Sequence, residues 1–128
     1  MSEPLKILYV DDEDDIREIA VMALEFDPAL TVRSCASGSE ALATVTDWLP
    51  DLILLDVMMP DMDGPETLTR LQQAPETAAV PVVFTTARTQ PEDIDRFMSL
   101  GAAGVISKPF DPMTLAEQAR DLLAKRKS

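Results

Sequence analysis

Histidine is absent from the 128-residue chain. That excludes Ser-His and Cys-His nucleophiles, imidazole zinc sites and a phosphohistidine carried on the chain itself. One cysteine, Cys35, leaves no internal disulfide and no thiolate zinc cluster. It is expected to fill the core as a small apolar side chain rather than act as a redox thiol. Basic residues are scarce: 11 Lys and Arg against 23 Asp and Glu give a net charge of −12. A field of that sign repels phosphate backbones and anionic lipid, so neither nucleic acid nor membrane is expected as a direct partner. No run of about 18 apolar residues is present, and Met1 to Pro4 leads into a strand pattern rather than a signal peptide. The expectation is a soluble, cytoplasmic protein. What remains for chemistry is carboxylate, ammonium and hydroxyl, with a hard divalent cation.

What is present suits a single domain over residues 1–128, with 46% hydrophobic and 27% charged residues. Three short apolar runs, Ile7 to Val10, Leu52 to Leu55 and Val80 to Phe84, look like strands buried on both faces. Thr31 to Ala36 is more polar, as expected of an edge strand, and Gly104 to Ser107 is a short fifth candidate. Between them lie helix patterns. Ile16, Ile19, Ala20 and Ala23 follow Asp14 as N-cap, and Leu42, Val45 and Leu49 follow the capping-box spacing Ser37-Gly38-Ser39-Glu40. Gly64-Pro65 starts a third helix with Leu68 and Leu71 inward, and Thr89 to Glu92 a fourth with Ile94, Phe97 and Met98 inward. Asp111-Pro112 starts a fifth with Leu115, Ala119 and Leu122 inward, ending in Lys125-Arg126-Lys127, whose charge suits a helix C-terminus. Strand and helix alternate five times, which predicts an α/β fold: a five-stranded parallel sheet with five helices on both faces.

Ligands of such sheets bind beyond the carboxyl ends of the strands. Those ends carry Asp11-Asp12, Asp56, Thr85-Thr86-Ala87 and Ser107-Lys108-Pro109. In the flavodoxin-like strand order 2-1-3-4-5 they converge on one crevice. Each has an ordinary reading alone, as a helix cap, a turn residue or a solvated lysine; their joint placement is what singles them out. Three carboxylates and one ammonium sum to −2, and like charges about 4 Å apart repel by on the order of 4 kcal/mol at an effective dielectric near about 20. A divalent cation balances that sum, and hard oxygen donors suit Mg²⁺. Neutralised in this way, the crevice can accept a phosphoryl group on a carboxylate. Met58, Met59 and Met62 read as loop packing.

Over roughly Leu5 to Ala124 the chain resembles a response-regulator receiver domain of two-component signalling. The likeness is carried by Ile7 to Glu13, Asp51 to Pro60, Asp63-Gly64, Pro81 to Ala87 and Lys108-Pro109-Phe110. It implies that Asp56 is the phosphoacceptor and that Asp11, Asp12, Asp56 and the Met58 carbonyl surround Mg²⁺, Asp11 through water. It also implies that Thr86, Ala87 and Lys108 line the phosphoryl pocket and that Lys108-Pro109 is a cis bond. The family commonly carries Tyr or Phe three residues before the lysine; Val105 stands there instead.

The function expected is that of a signalling phosphoacceptor, which catalyses only its own phosphorylation and slow dephosphorylation. A histidine kinase or histidine phosphotransfer protein would supply the group, since the chain has no imidazole, and a downstream protein would read or receive it. No DNA-binding segment follows residue 128, so direct transcriptional output is not expected of a complete chain. A constitutive protein-binding module with the same fold is the alternative. A haloacid-dehalogenase-like phosphatase is excluded because it needs Asp at position 58, where Met stands. A flavodoxin-like cofactor carrier is excluded because the five acids from Asp11 to Asp15 repel phosphate. Trp48, the single tryptophan, is a candidate optical reporter of cation binding.

Overall fold

The computed structural model describes the backbone of residues 4–127 and the side chains of residues 4–125. Strands β1 (Leu5–Val10), β2 (Leu30–Cys35), β3 (Leu52–Asp56), β4 (Val82–Thr86) and β5 (Gly104–Ser107) alternate with five helices. These are α1 (Asp14–Glu25), α2 (Gly38–Asp47), α3 (Gly64–Gln73), α4 (Pro91–Ser99) and α5 (Leu115–Lys127). The strands form one parallel sheet, as the alternation predicts, and its order β2-β1-β3-β4-β5 is the flavodoxin-like one expected.

Strand alternation divides the core into two layers. Leu8, Val10, Ile53, Leu55, Val82 and Phe84 pack with Ala41 and Val45 of α2, Leu68 and Leu71 of α3, and Phe97 of α4. Ile7, Tyr9, Leu52, Leu54, Val83 and Ile106 pack with Ala20, Ala23 and Leu24 of α1 and Leu115 and Ala119 of α5. β3 and β4 are buried along their whole length, whereas β2 exposes Thr31, Arg33 and Ser34 as an edge strand does. Cys35 is buried against Thr44, and burial holds its thiol above the ordinary range, so it is core filler as expected.

Several boundaries differ from the sequence expectation. β4 starts at Val82, two residues later, because Pro81 has no N–H for the ladder and contributes only its carbonyl, which accepts from Ile53 N at 3.0 Å. Glu13, not Asp14, precedes α1 and caps it without a side-chain bond, while Asp14 and Asp15 sit in the first turn. Ser37 Oγ does accept from Glu40 N at 3.0 Å, but Glu40 Oε1 reaches back to Ala36 N rather than to Ser37. Residues 112–114 form a turn before α5, and Leu123, which the pattern omits, is buried in place of the half-buried Leu122. Leu49, Ile19 and Met98 are exposed, because apolar spacing alone does not say how narrow the covered stripe of a helix is. Of the basic tail, the side chains of Arg126 and Lys127 lie outside the described residues.

One glycine positions the site. A Cβ on Gly64 would lie 2.5 Å from the Asp56 carbonyl oxygen and 2.9 Å from Val57 Cα. Only glycine lets the first turn of α3 press against the end of β3. Gly64 N donates to Val57 O at 2.9 Å, and Asp63 Oδ1 caps the helix by accepting from Glu66 N at 2.9 Å.

Candidate functional site

Parallel strands bring four chain segments to one end of the sheet. Asp11 follows β1, Asp56 closes β3 opposite Thr85, Thr86 closes β4, and Lys108 follows β5. Carboxylate oxygens of Asp11, Asp12 and Asp56 lie within 4.8 Å of one another. Lys108 Nζ donates to Asp11 Oδ2 at 2.9 Å and stands 3.3 Å from Asp56 Oδ1. Asp11 is fully buried, Asp56 nearly so, and Asp12 is exposed. A buried carboxyl group needs hydrogen-bond partners. Asp11 meets that requirement on both oxygens: Oδ1 accepts from Glu13 N at 2.9 Å, and Oδ2 accepts from Lys108 and from the Tyr9 hydroxyl at 3.2 Å. Arg17 holds the Asp11 carbonyl oxygen at 2.8 Å and pairs with Asp14.

The electrostatics carry the strain of three acids in one crevice. Burial first, then the Asp11 charge, push the Asp56 carboxyl up to about 6, against the lowering influence of Lys108. Burial also works against the Lys108 ammonium, yet the hydrogen bond and charge of Asp11, with Asp56, leave it held above the ordinary lysine range. Tyr9 is pushed far above the phenol range by burial and by the adjacent Asp11. A divalent cation fits this arrangement: the donors are hard oxygens, they converge, and the lone ammonium leaves their charge uncompensated.

A sequence model of the response regulator receiver domain matches residues 7–120. The chain belongs to the response regulator receiver family. It is 37% identical over 128 residues to response regulator Rre1 of Synechocystis, covering 100% of this chain and 55% of that protein. It is 38% identical over 128 residues to a protein-glutamate methylesterase/protein-glutamine glutaminase of Halalkalibacterium halodurans, covering 98% of this chain and 37% of that one. The chain thus spans about half the length, or less, of the curated relatives it matches. Among solved structures, the chemotaxis response regulator CheY4 of Vibrio cholerae superposes with a TM-score of 0.86 at 33% identity, covering 93% of this chain and 98% of that one. A response regulator of Chloroflexus aurantiacus gives 0.86 at 33% identity, covering 95% and 99%. As a receiver the chain is a module of two-component signalling with an acidic site for phosphorylation, not a catalytic enzyme, and a receiver implies a partner kinase. Among the described residues no helix is long and apolar enough to cross a membrane.

The receiver site opens into a cleft of about 540 Å³ whose lining includes Asp56, Thr86, Ala87 and Lys108. Its rim is apolar, with Ile16 and Ile19 of α1 on one side, Met58 beside Asp56, and Phe110 beyond the Lys108-Pro109 bond, which is cis as the resemblance implies. Of the three methionines read as loop packing, Met59 is buried but Met58 is 68% exposed and lines this rim. Thr86 is buried, and its Oγ1 accepts from Arg88 N at 2.9 Å, which holds the start of the β4–α4 loop. Val105 is half-buried and packs on the apolar layer below α4. Trp48 stands far from the site. It packs by Arg33 at 5.0 Å and Lys6 at 5.9 Å, and Lys6 precedes Asp11 by five residues of extended chain, about 16 Å.

Sequence reasoning missed Tyr9, which sits inside an apolar strand and reads as an ordinary strand residue, and it placed Thr85 at the end of β4 without giving it a role. The signal available was their polarity at fully buried positions: Tyr9 bonds Asp11, while Thr85 Oγ1 lies beside the Tyr9 hydroxyl with no hydrogen-bond partner of normal geometry.

Proposed function

We propose that the chain, as one receiver domain over residues 1–128, takes a phosphoryl group on Asp56 from the phosphohistidine of a histidine kinase or histidine phosphotransfer protein. It then passes the group on or presents it to a downstream protein. The observation that carries this reading is the buried Asp56 carboxylate beside Asp11, Asp12 and Lys108 in the lining of an open cleft. An Asp56 oxygen forms the new P–O bond while the donor's P–N bond breaks, its electron pair leaving with the imidazole nitrogen. Mg²⁺, held by Asp11, Asp12, Asp56 and the Met58 carbonyl with Asp11 acting through water, would neutralise the carboxylates and the incoming phosphoryl oxygens. Lys108 supplies the fixed positive charge for those oxygens, and the Thr86 hydroxyl and the backbone at Ala87 supply hydrogen bonds. The full burial of Asp11 supports a role for it as an anchor of Lys108. An acidic chain with these partners works in the cytoplasm.

The test is labelling with acetyl phosphate and Mg²⁺, read by intact-protein mass spectrometry. Wild type should gain one phosphoryl group and Asp56→Asn none. Equal labelling of the variant overturns the assignment, and an unlabelled wild type favours a constitutive binding module instead.

A further inference from the structure

Lys108 serves two carboxylates at once, and phosphorylation changes what it must serve. Its Nζ is 2.9 Å from Asp11 Oδ2 and 3.3 Å from Asp56 Oδ1. A phosphoryl group on Asp56 adds charge and acceptor oxygens on one side of that ammonium, so Nζ is drawn away from Asp11. Asp11 is fully buried, so bulk solvent does not make good the loss of that ammonium. A buried carboxylate that loses its cation is strongly disfavoured unless other donors remain. On Oδ2 the donor that remains is the Tyr9 hydroxyl.

Thr85 completes the arrangement. Its hydroxyl is buried, beside the Tyr9 hydroxyl, and without a partner of its own. An unsatisfied buried hydroxyl in a native strand calls for an explanation. Turned toward Tyr9, it makes a chain in which Thr85 donates to the Tyr9 oxygen and Tyr9 donates to Asp11, each bond polarising the next. We infer that Tyr9 and Thr85 are positioning residues that hold the Asp11 carboxylate when Lys108 transfers to the phosphoryl group. This rests on the reading of Asp56 as phosphoacceptor. Neither residue touches the reacting atoms; the Tyr9–Asp11 bond is already made in the resting state, and it carries more once Lys108 has moved.

The experiment compares wild type, Tyr9→Phe, Thr85→Val and the double variant, each of which keeps side-chain volume. Mg²⁺ binding is read by titration calorimetry, and beryllofluoride binding in saturating Mg²⁺ by fluorine NMR. In saturating Mg²⁺, Tyr9→Phe should weaken beryllofluoride binding roughly three- to tenfold, the worth of one net hydrogen bond, and by more than it changes Mg²⁺ affinity. Thr85→Val should weaken beryllofluoride binding less, and the double variant no more than Tyr9→Phe alone, since Thr85 acts through Tyr9. In a Lys108→Ala background, where no ammonium changes partner, neither substitution should matter. Equal beryllofluoride affinity in wild type and both single variants overturns the inference, as does an undiminished loss in the Lys108→Ala background. Failure of wild type to bind beryllofluoride overturns the Asp56 reading itself, a distinct result.

Discussion

The two faces of the sheet differ in chemistry although the same strands build both. On the face under α2, α3 and α4 the layer is apolar side chains, with Phe84 and Phe97 in ring contact at 5.1 Å and Val105 at its margin. Its buried hydroxyls, Thr67 and Thr77, are satisfied by backbone carbonyls at 2.8 and 2.6 Å. On the face under α1 and α5, the alternate strand positions carry Tyr9 and Leu54 into the core and Asp11, Asp56 and Lys108 at its upper end. Tyr9 there meets Phe110 edge-on at 6.4 Å. Both layers are apolar cores, and only the second carries buried charge at its upper end. The missing aromatic at Val105 belongs to the first face and the Tyr9–Phe110 pair to the second, where the Tyr9 hydroxyl also reaches Asp11.

The contrast can be broken most forcefully on the apolar face. Phe84→Ala should lower the free energy of unfolding by about 3–5 kcal/mol in a urea melt. A loss below about 1 kcal/mol would mean that this layer collapses around the hole and is not the closely packed core described.

On the polar face a deletion of charge should do the reverse. Asp56 titrates near 6 in the folded protein against 3.8 as its ordinary value, so the folded state binds that proton more tightly. Stability is therefore lost as pH rises from 3.8 through about 6 and stays lost above it. In the presence of a chelator at neutral pH, Asp56→Asn should be more stable than wild type by on the order of 1–3 kcal/mol. The gap should close toward the acid end of that window. A variant no more stable than wild type at neutral pH would show that the Asp56 charge carries no net cost from burial and from the Asp11 charge.

Cation should erase the penalty that the substitution removes. At ten times its dissociation constant, Mg²⁺ should stabilise wild type by about 1.4 kcal/mol. Asp56→Asn, with one donor fewer, should gain less at the same concentration, and an equal gain would place the cation elsewhere.

The smallest expected effect is the reach of the signal into the apolar face. Val105 is short and stiff, so phosphorylation has little surface to exchange there. Amide hydrogen exchange with beryllofluoride should change at residues 86–91 and in the turn after Lys108, and little across 92–107. Large changes across 92–107 would show that the apolar face relays the switch without a ring.

Much of this was legible in the sequence. The doubly buried strands declare themselves as apolar runs, and the acids and the lysine stand where those runs end, so the parallel sheet follows, and with the flavodoxin-like order the members of the crevice do too. What escaped depended on side-chain depth. Ile19, Leu49 and Met98 obey helical spacing, but only the width of contact with the sheet decides which of them is covered. Tyr9, and the role of Thr85, escaped for the opposite reason: their strand positions are correct, and their hydroxyls acquire meaning only when β1 and β4 flank β3.

Trp48 has a practical consequence. It is the chain's one tryptophan, flanked by Arg33 and Lys6 at the far end of the sheet from Asp56. Its emission therefore registers the integrity of β1, β2 and α2 while staying dark to events in the crevice. The molecule carries its own reference lamp. A variant can be checked for folding by light in the same tube in which its phosphorylation is followed by mass or by fluorine resonance, with no crosstalk between the two signals.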